Sequence, residues 1–197
     1  MRDVALELLN IVALATGVAY AVLAARRNRL CWIAGAVASG AAAFLSAVNK
    51  LPMQAALQVF YVGMAAYGWW SWSRNSSEGE LAVGVWPVAA HLVVAAVLVA
   101  LSFVTARWLE PGSFAAWPLL DSLTTWFSVF ATWLAARARL ENWIYWIVLN
   151  AVMVFLFFAQ RVWGMALLSV FLTVIAVAGF VSWQRKFRAQ VTAAVPA

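Results

Sequence analysis

Charge and chemically reactive side chains are scarce in this chain. Of 197 residues, 10% are Asp, Glu, Lys or Arg and 66% are hydrophobic, whereas an ordinary globular domain holds about 25% charged and about 45–50% apolar residues. The single cysteine, Cys31, excludes an intramolecular disulfide and any multi-cysteine metal site. A single histidine, His91, supplies neither a metal site nor a haem ligand pair, so no metal and no cofactor is expected. The only lysines, Lys50 and Lys186, do not follow a glycine, which removes the phosphate-binding loop and direct nucleotide hydrolysis. The last apolar run holds no lysine for a retinal Schiff base, and no G-x-S-x-G turn presents a nucleophilic serine. No catalytic residue is therefore assigned, and an enzyme is not expected.

What is present is apolar length. Mean hydropathy is +0.90, and uninterrupted apolar runs predict helices at about 4–25, 30–48, 53–72, 87–106, 118–136, 142–159 and 164–183. Each approaches the ~20 residues that cross about 30 Å of hydrocarbon. The expected fold class is an all-α integral membrane protein of seven transmembrane helices, a single domain over residues 1–197. Pro52, Pro87, Pro111 and Pro118 mark helix starts or loops, and the polar run Ser73 to Glu80 reads as the longest loop. Met1-Arg2-Asp3 lacks the basic run of a signal peptide, so none is expected.

The net charge of +6 is distributed by side. Arg2, Lys50, Arg107 and Arg161 fall on one face of the membrane. Arg26, Arg27, Arg29, Arg74, Arg137, Arg139, Arg185, Lys186 and Arg188 fall on the other. Basic loops favour the cytoplasm, which predicts an outside N-terminus and a cytoplasmic C-terminus in a multi-pass membrane protein. Lipid headgroups account for the basic residues, and nucleic acid is not an expected partner. Trp32, Trp72, Trp108, Trp117, Trp143 and Trp183 lie near span ends, as interfacial anchors do.

The chain also resembles itself at an offset of 111 residues. Trp32-Ile33 aligns with Trp143-Ile144, Lys50 with Arg161, Gly68 with Gly179, Ser71-Trp72 with Ser182-Trp183 and Arg74 with Arg185. The register predicts repeat one over about 4–74, a linker helix over about 87–106 and repeat two over about 118–185. One intervening helix sets both triplets in the same direction, a parallel 3+1+3 repeat. Transporters built this way place a solute site near the midplane between repeats.

Polar groups inside spans are costly, so they are candidates for function. The third span offers Gln54, Gln58 and Tyr61 on one face. The fifth offers a stripe of Asp121, Thr125 and Ser128, and the sixth sets Trp143, Trp146 and Asn150 together. Indoles supply dispersion and cation–π attraction, and amides both donate and accept. That combination suits a flat heteroaromatic ring carrying hydroxyls. Ser122, Thr124 and Thr132 are equally read as helix–helix glue, Asn142 as a helix cap, and His91 as a packed residue of the linker helix. Asp121 has two readings, a cap on the fifth helix or a group that attracts a cationic solute. Cys31 has no assigned purpose.

These stretches resemble the PnuC-type bacterial vitamin transporters. The resemblance rests on Leu57-Gln58-Val59-Phe60-Tyr61, Tyr67 through Trp72, Pro118 through Thr125, and Glu141-Asn142-Trp143 through Trp146 to Asn150. It implies a SWEET-like fold, a homo-oligomer, and facilitated diffusion of nicotinamide riboside that a cytoplasmic kinase traps by phosphorylation. The chain departs from the family at Thr132, often glutamine there, and at Val162-Trp163-Gly164. Relatives that carry thiamine or riboflavin keep those solutes as alternatives, and a non-transporting assembly or receptor subunit is the reading from another class. The polar and aromatic stripes together give an expected substrate site of Gln54, Gln58, Tyr61, Asp121, Thr125, Ser128, Trp143, Trp146 and Asn150.

Overall fold

The computed structural model describes residues 2–50, 52–77, 80–109 and 118–194. Its helices are α1 (Arg2–Ala25), α2 (Cys31–Val48), α3 (Pro52–Arg74), α4 (Val88–Leu109), α5 (Pro118–Ala136), α6 (Asn142–Ala159) and α7 (Trp163–Ala194). Between α3 and α4, β1 (Ser76–Ser77) and β2 (Glu80–Leu81) pair antiparallel as a minimal ladder. Five helices, α1, α2, α4, α6 and α7, are long and apolar enough to cross a membrane. The helices α3 and α5 fall short in hydropathy because they carry Gln54, Gln58, Asp121 and several hydroxyls.

Neighbour relations explain that division. Successive contacts run α1–α2–α3–α5–α6–α7 and return from α7 to α1, so six helices close a ring, and α4 lies against α5. The chain is thus three helices, one, then three. The joins between triplets are α3 with α5 and α7 with α1, and the most polar helices meet each other at one of them.

The local geometry recurs at the same offset as the sequence. Four non-glycine residues have positive φ among those described: Arg27 (58°), Lys50 (56°), Ala138 (51°) and Arg161 (59°). They form two pairs 111 apart, each at a tight turn between helices. Left-handed backbone is costly for residues with a Cβ, so its recurrence at matched turns reflects a shared loop design. Trp32 lies flat on Gly68, and Trp143 on Gly179, where an added Cβ would come within 2.8 Å of the indole. Gly179→Ala and Gly68→Ala are each expected to cost about 1–3 kcal/mol by overpacking. An unchanged thermal midpoint for either variant would show that the indole is not seated there.

Four of the tryptophans placed at the membrane interface by sequence are not interfacial anchors. Trp32, Trp72, Trp143 and Trp183 are 2%, 1%, 4% and 0% exposed. They form a chain of ring contacts, Trp32–Trp72 at 5.4 Å, Trp72–Trp183 at 5.8 Å and Trp183–Trp143 at 5.7 Å. Glycines opposite Trp32 and Trp143 leave room for those indoles inside the ring. Trp108, by contrast, is exposed, and Trp117 and Pro111 lie outside the described residues.

The nine-cation end of the bundle is stitched together. The Arg27 guanidinium donates to the Ser182 carbonyl (3.1 Å) and Oγ (2.8 Å), tying the α1–α2 turn to α7. The loop before α4 exchanges hydrogen bonds with the α5–α6 turn, Gly84 N–H to Ala138 C=O (3.0 Å) and Leu140 N–H to Gly84 C=O (2.9 Å). The histidine of α4 is packed: its Nδ1 lies 3.0 Å from the Tyr145 hydroxyl and its Nε2 3.8 Å from the Glu141 carboxylate.

Candidate functional site

Inside the ring lies a cavity of two lobes, each of about 180 Å³. Together they reach the low end of the about 300–1,000 Å³ of small-molecule sites. One lobe is walled mainly by α6 and α7, with Asn142, Trp143, Trp146, Asn150 and Trp183, and also by Trp72 of α3 and Ala135 of α5. The other is walled by α2, α3 and α5, with Trp32, Gly35, Ser39, Tyr61 and Thr132. Gly17 and Tyr20 of α1 and Trp146 of α6 line both, so the lobes meet between them.

The polar lining comes chiefly from the first half of α6. Residues 142, 143, 146 and 150 repeat at three- and four-residue spacing, which stacks them on one helix face. The Asn142 side chain is not a cap of its own helix. It donates to the Arg139 carbonyl at 2.6 Å and is 1% exposed, while Glu141 occupies the N-cap position. Asn150 is buried, yet among the described residues its amide has no hydrogen-bond partner. The Trp146 ring likewise contacts no other aromatic ring among them. The Asn150 amide, whose polar atoms open to the cavity and are not among the buried unpartnered ones, and the indole of Trp146 are groups left available to a solute that can both donate and accept.

Tyr61 lines the second lobe, and its hydroxyl sits 2.7 Å from Ser128 Oγ. Ser128 donates its own hydrogen to the Thr125 carbonyl at 2.8 Å, so the Tyr61 O–H is the donor between the two hydroxyls. This bond joins α3 to α5 and holds the phenol at the cavity wall. Thr132 also reaches that wall, although its hydroxyl is used on the Ser128 carbonyl (2.8 Å).

The structure therefore brings together Tyr61, Trp143, Trp146 and Asn150 at the cavity, with Ser128 directly behind Tyr61. Gln54, Gln58, Asp121 and Thr125 are not among the lining residues. Gln54 and Asp121 are exposed, and Gln58 and Thr125 are half-buried. The reason is axial position. Tyr61 and Ala65 of α3 and Thr132 and Ala135 of α5 line the cavity, so it lies toward the C-terminal halves of both helices. Gln54 precedes Tyr61 by two turns, about 10 Å at 1.5 Å per residue, and Asp121 precedes Thr132 by about three.

Relatives place this arrangement in a family. The chain matches the family model described as nicotinamide mononucleotide transporter over residues 7–185. It belongs to that family. It is 30% identical over 156 residues to the nicotinamide riboside transporter PnuC of Escherichia coli (strain K12) and to that of Shigella flexneri, covering 64% of this chain and 64% of each relative. The matched region thus spans 64% of the length of these curated relatives. The crystal structure of the vitamin B3 transporter PnuC superposes with a TM-score of 0.74 at 23% identity, over 92% of this chain and 82% of that one, and shows the same fold. The family and the relatives it resembles carry the name of transporters, and five of the helices found here are long and apolar enough to cross a membrane.

Among the cavity groups that escaped the sequence-based selection of site residues in this family member are Tyr20, Thr132 and Asn142. Tyr20 sits in the apolar second half of α1, where Thr16, one turn earlier, is the one polar residue at helical spacing and spends its hydroxyl on the Val12 carbonyl at 2.6 Å. Thr132 read as glue, and Asn142 as a cap. The signal that would have found Asn142 was its spacing from Trp146 and Asn150, which continues the α6 stripe by one turn.

Proposed function

We propose that the protein carries nicotinamide riboside across the bacterial inner membrane by facilitated diffusion, with its N-terminus outside and its C-terminus cytoplasmic. The observation that carries this reading is the unpartnered Asn150 amide beside the free face of Trp146, inside a closed ring of helices. A pyridinium ring suits the indole by stacking and cation–π attraction, and ribose hydroxyls suit the amide. The site proposed is Tyr61, Trp143, Trp146 and Asn150 with Asn142, held in part by Ser128. Gln54, Gln58, Asp121 and Thr125 would meet the solute on its way through the opposite half of the bundle. Triplets over about 4–74 and 118–185 rock against each other around this site, with the linker helix outside. The protein assembles as a homo-oligomer, and a cytoplasmic kinase that phosphorylates the solute keeps the gradient inward.

Liposomes bearing the protein test this directly. Labelled nicotinamide riboside is expected to equilibrate into empty proteoliposomes and to accumulate above equilibrium only when a nicotinamide riboside kinase and ATP are enclosed. Faster equilibration of thiamine than of nicotinamide riboside would reassign the solute. Equal uptake into protein-free and protein-bearing liposomes for both would remove the carrier reading.

A further inference from the structure

Resting on that reading, we propose that Tyr20 is the second wall of the solute slot: a flat ring is clasped between Tyr20 and Trp146, and Gly35 sets the width of the slot. Besides Gly17, these two aromatic residues are what both lobes share, so they flank the passage between the halves. Tyr20 has one ring neighbour among the described residues, Trp32 at 5.7 Å and 64° between planes, and its other surface lines the cavity. Trp146 has none. Two aromatic faces bordering one narrow space select for a planar, electron-poor or cationic ring and against a flexible or purely saccharide solute of equal size.

Gly35 is what lets the phenol lie where it does. A Cβ at position 35 would stand 3.0 Å from Tyr20 Cδ2, 3.5 Å from Cε2 and 3.7 Å from Cγ, closer than the ring tolerates without shifting. The residue 111 positions after Gly35 is Trp146, and the one 111 after Tyr20 is Ala131. Each repeat thus supplies one large ring and one small residue, but from non-equivalent helices. Repeat one gives its ring from α1 and leaves α2 small, whereas repeat two gives its ring from α6 and leaves α5 small. The slot is asymmetric inside a symmetric frame, which orients a solute having distinct ends.

Equilibrium binding to the purified full-length protein tests this, with nicotinamide riboside as the ligand and ribose as the ringless control. Tyr20→Ala is expected to weaken nicotinamide riboside binding by about ten- to a hundredfold, the range of one lost stacking face, and Tyr20→Phe by less than about threefold, because the ring remains. Gly35→Ala is expected to weaken binding about tenfold in the wild type, by overpacking against the phenol, and by less than about twofold when Tyr20 is already alanine, because coupled neighbours are non-additive. Wild-type affinity in Tyr20→Ala overturns the proposal, as does an equal loss on Gly35→Ala in both backgrounds. If Tyr20→Ala does not fold, Tyr20→Leu carries the same comparison. Absence of binding to the wild type would instead refute the transport reading itself.

Discussion

Trp72→Ala and Trp183→Ala are each expected to cost about 3–5 kcal/mol of stability, the range for truncating a buried aromatic. The two losses should agree within about 1 kcal/mol, the usual scatter between like contacts in different settings. Both indoles are almost wholly buried. Trp72 Nε1–H donates to the Ala135 carbonyl at 2.9 Å, and Trp183 Nε1–H donates to the Ala24 carbonyl at 3.0 Å. Donors and acceptors are each 111 residues apart, so the bonds are one contact made twice. Each crosses between triplets, from α3 to the end of α5 and from α7 to the end of α1. Carbonyls in the last helical turn lack an intrahelical donor. Here each is met by a local turn, Arg27 N–H to Ala24 and Ala138 N–H to Ala135, both at 2.9 Å, and also by the indole from the other triplet. Phenylalanine at either site keeps most of the packing and loses only the bond, expected to cost about 1 kcal/mol. Thermal unfolding in detergent followed by far-ultraviolet circular dichroism reads all four variants. A large loss at one tryptophan and none at its counterpart would mean that the two contacts do not carry equal load.

Such contacts were half legible in the sequence. The self-similarity that pairs Trp72 with Trp183 and Gly68 with Gly179 is visible as text, and so are seven helices, because unbroken apolar runs bounded by cations and prolines have few other outcomes. Hydropathy could not say which way a tryptophan points. A ring near a span end serves equally as an anchor or as packing, and the decision lies with a glycine some 36 residues away in the chain (Trp32 on Gly68). The end of α7 was missed for a related reason. Gln184-Arg185-Lys186 ends the apolar run at Trp183, yet the helix continues to Ala194, since arginine, lysine, glutamine and alanine are good helix formers. Membrane span and helix are different lengths of the same element. The run Ser73 to Glu80 reads as a polar linker, and the residues just after it fold inward: Leu81 and Val83 are buried, and the Val83 N–H donates to Gln190 of the extended α7 at 3.2 Å.

The site divides along the same line. The α6 stripe was readable because periodicity places Trp143, Trp146 and Asn150 together regardless of what surrounds them. The stripes of α3 and α5 have the right periodicity too, but helical spacing fixes the angle around an axis and not the height along it. The cavity lies against the C-terminal halves of both, so Tyr61 and Thr132 reach it while Gln54 and Asp121 do not. Tyr20 was invisible for a third reason: a tyrosine in the apolar second half of α1 becomes part of a site only through Gly35 on its neighbour.

Trp146→Ala is expected to lower nicotinamide riboside affinity by about ten- to a hundredfold, the loss of one stacking surface, and Asn150→Leu by a comparable factor, because the solute's polar group then faces an apolar wall with its own hydrogen bond unmade. Gln58→Ala serves as the contrast: its side chain is not part of the cavity lining, so bound affinity should stay within about twofold, the effect of a substitution outside the contact. Measuring affinity and initial flux on the same variants separates two roles. A residue that only holds the solute changes half-saturation and leaves maximal flux, whereas one met during passage changes maximal flux at saturating solute. Gln58→Ala is expected in the second group, and Trp146→Ala in the first. Should Gln58→Ala abolish binding while Trp146→Ala binds normally, the solute would sit about one turn nearer the start of α3, and the cavity between Tyr20 and Trp146 would be a passage and not the resting place.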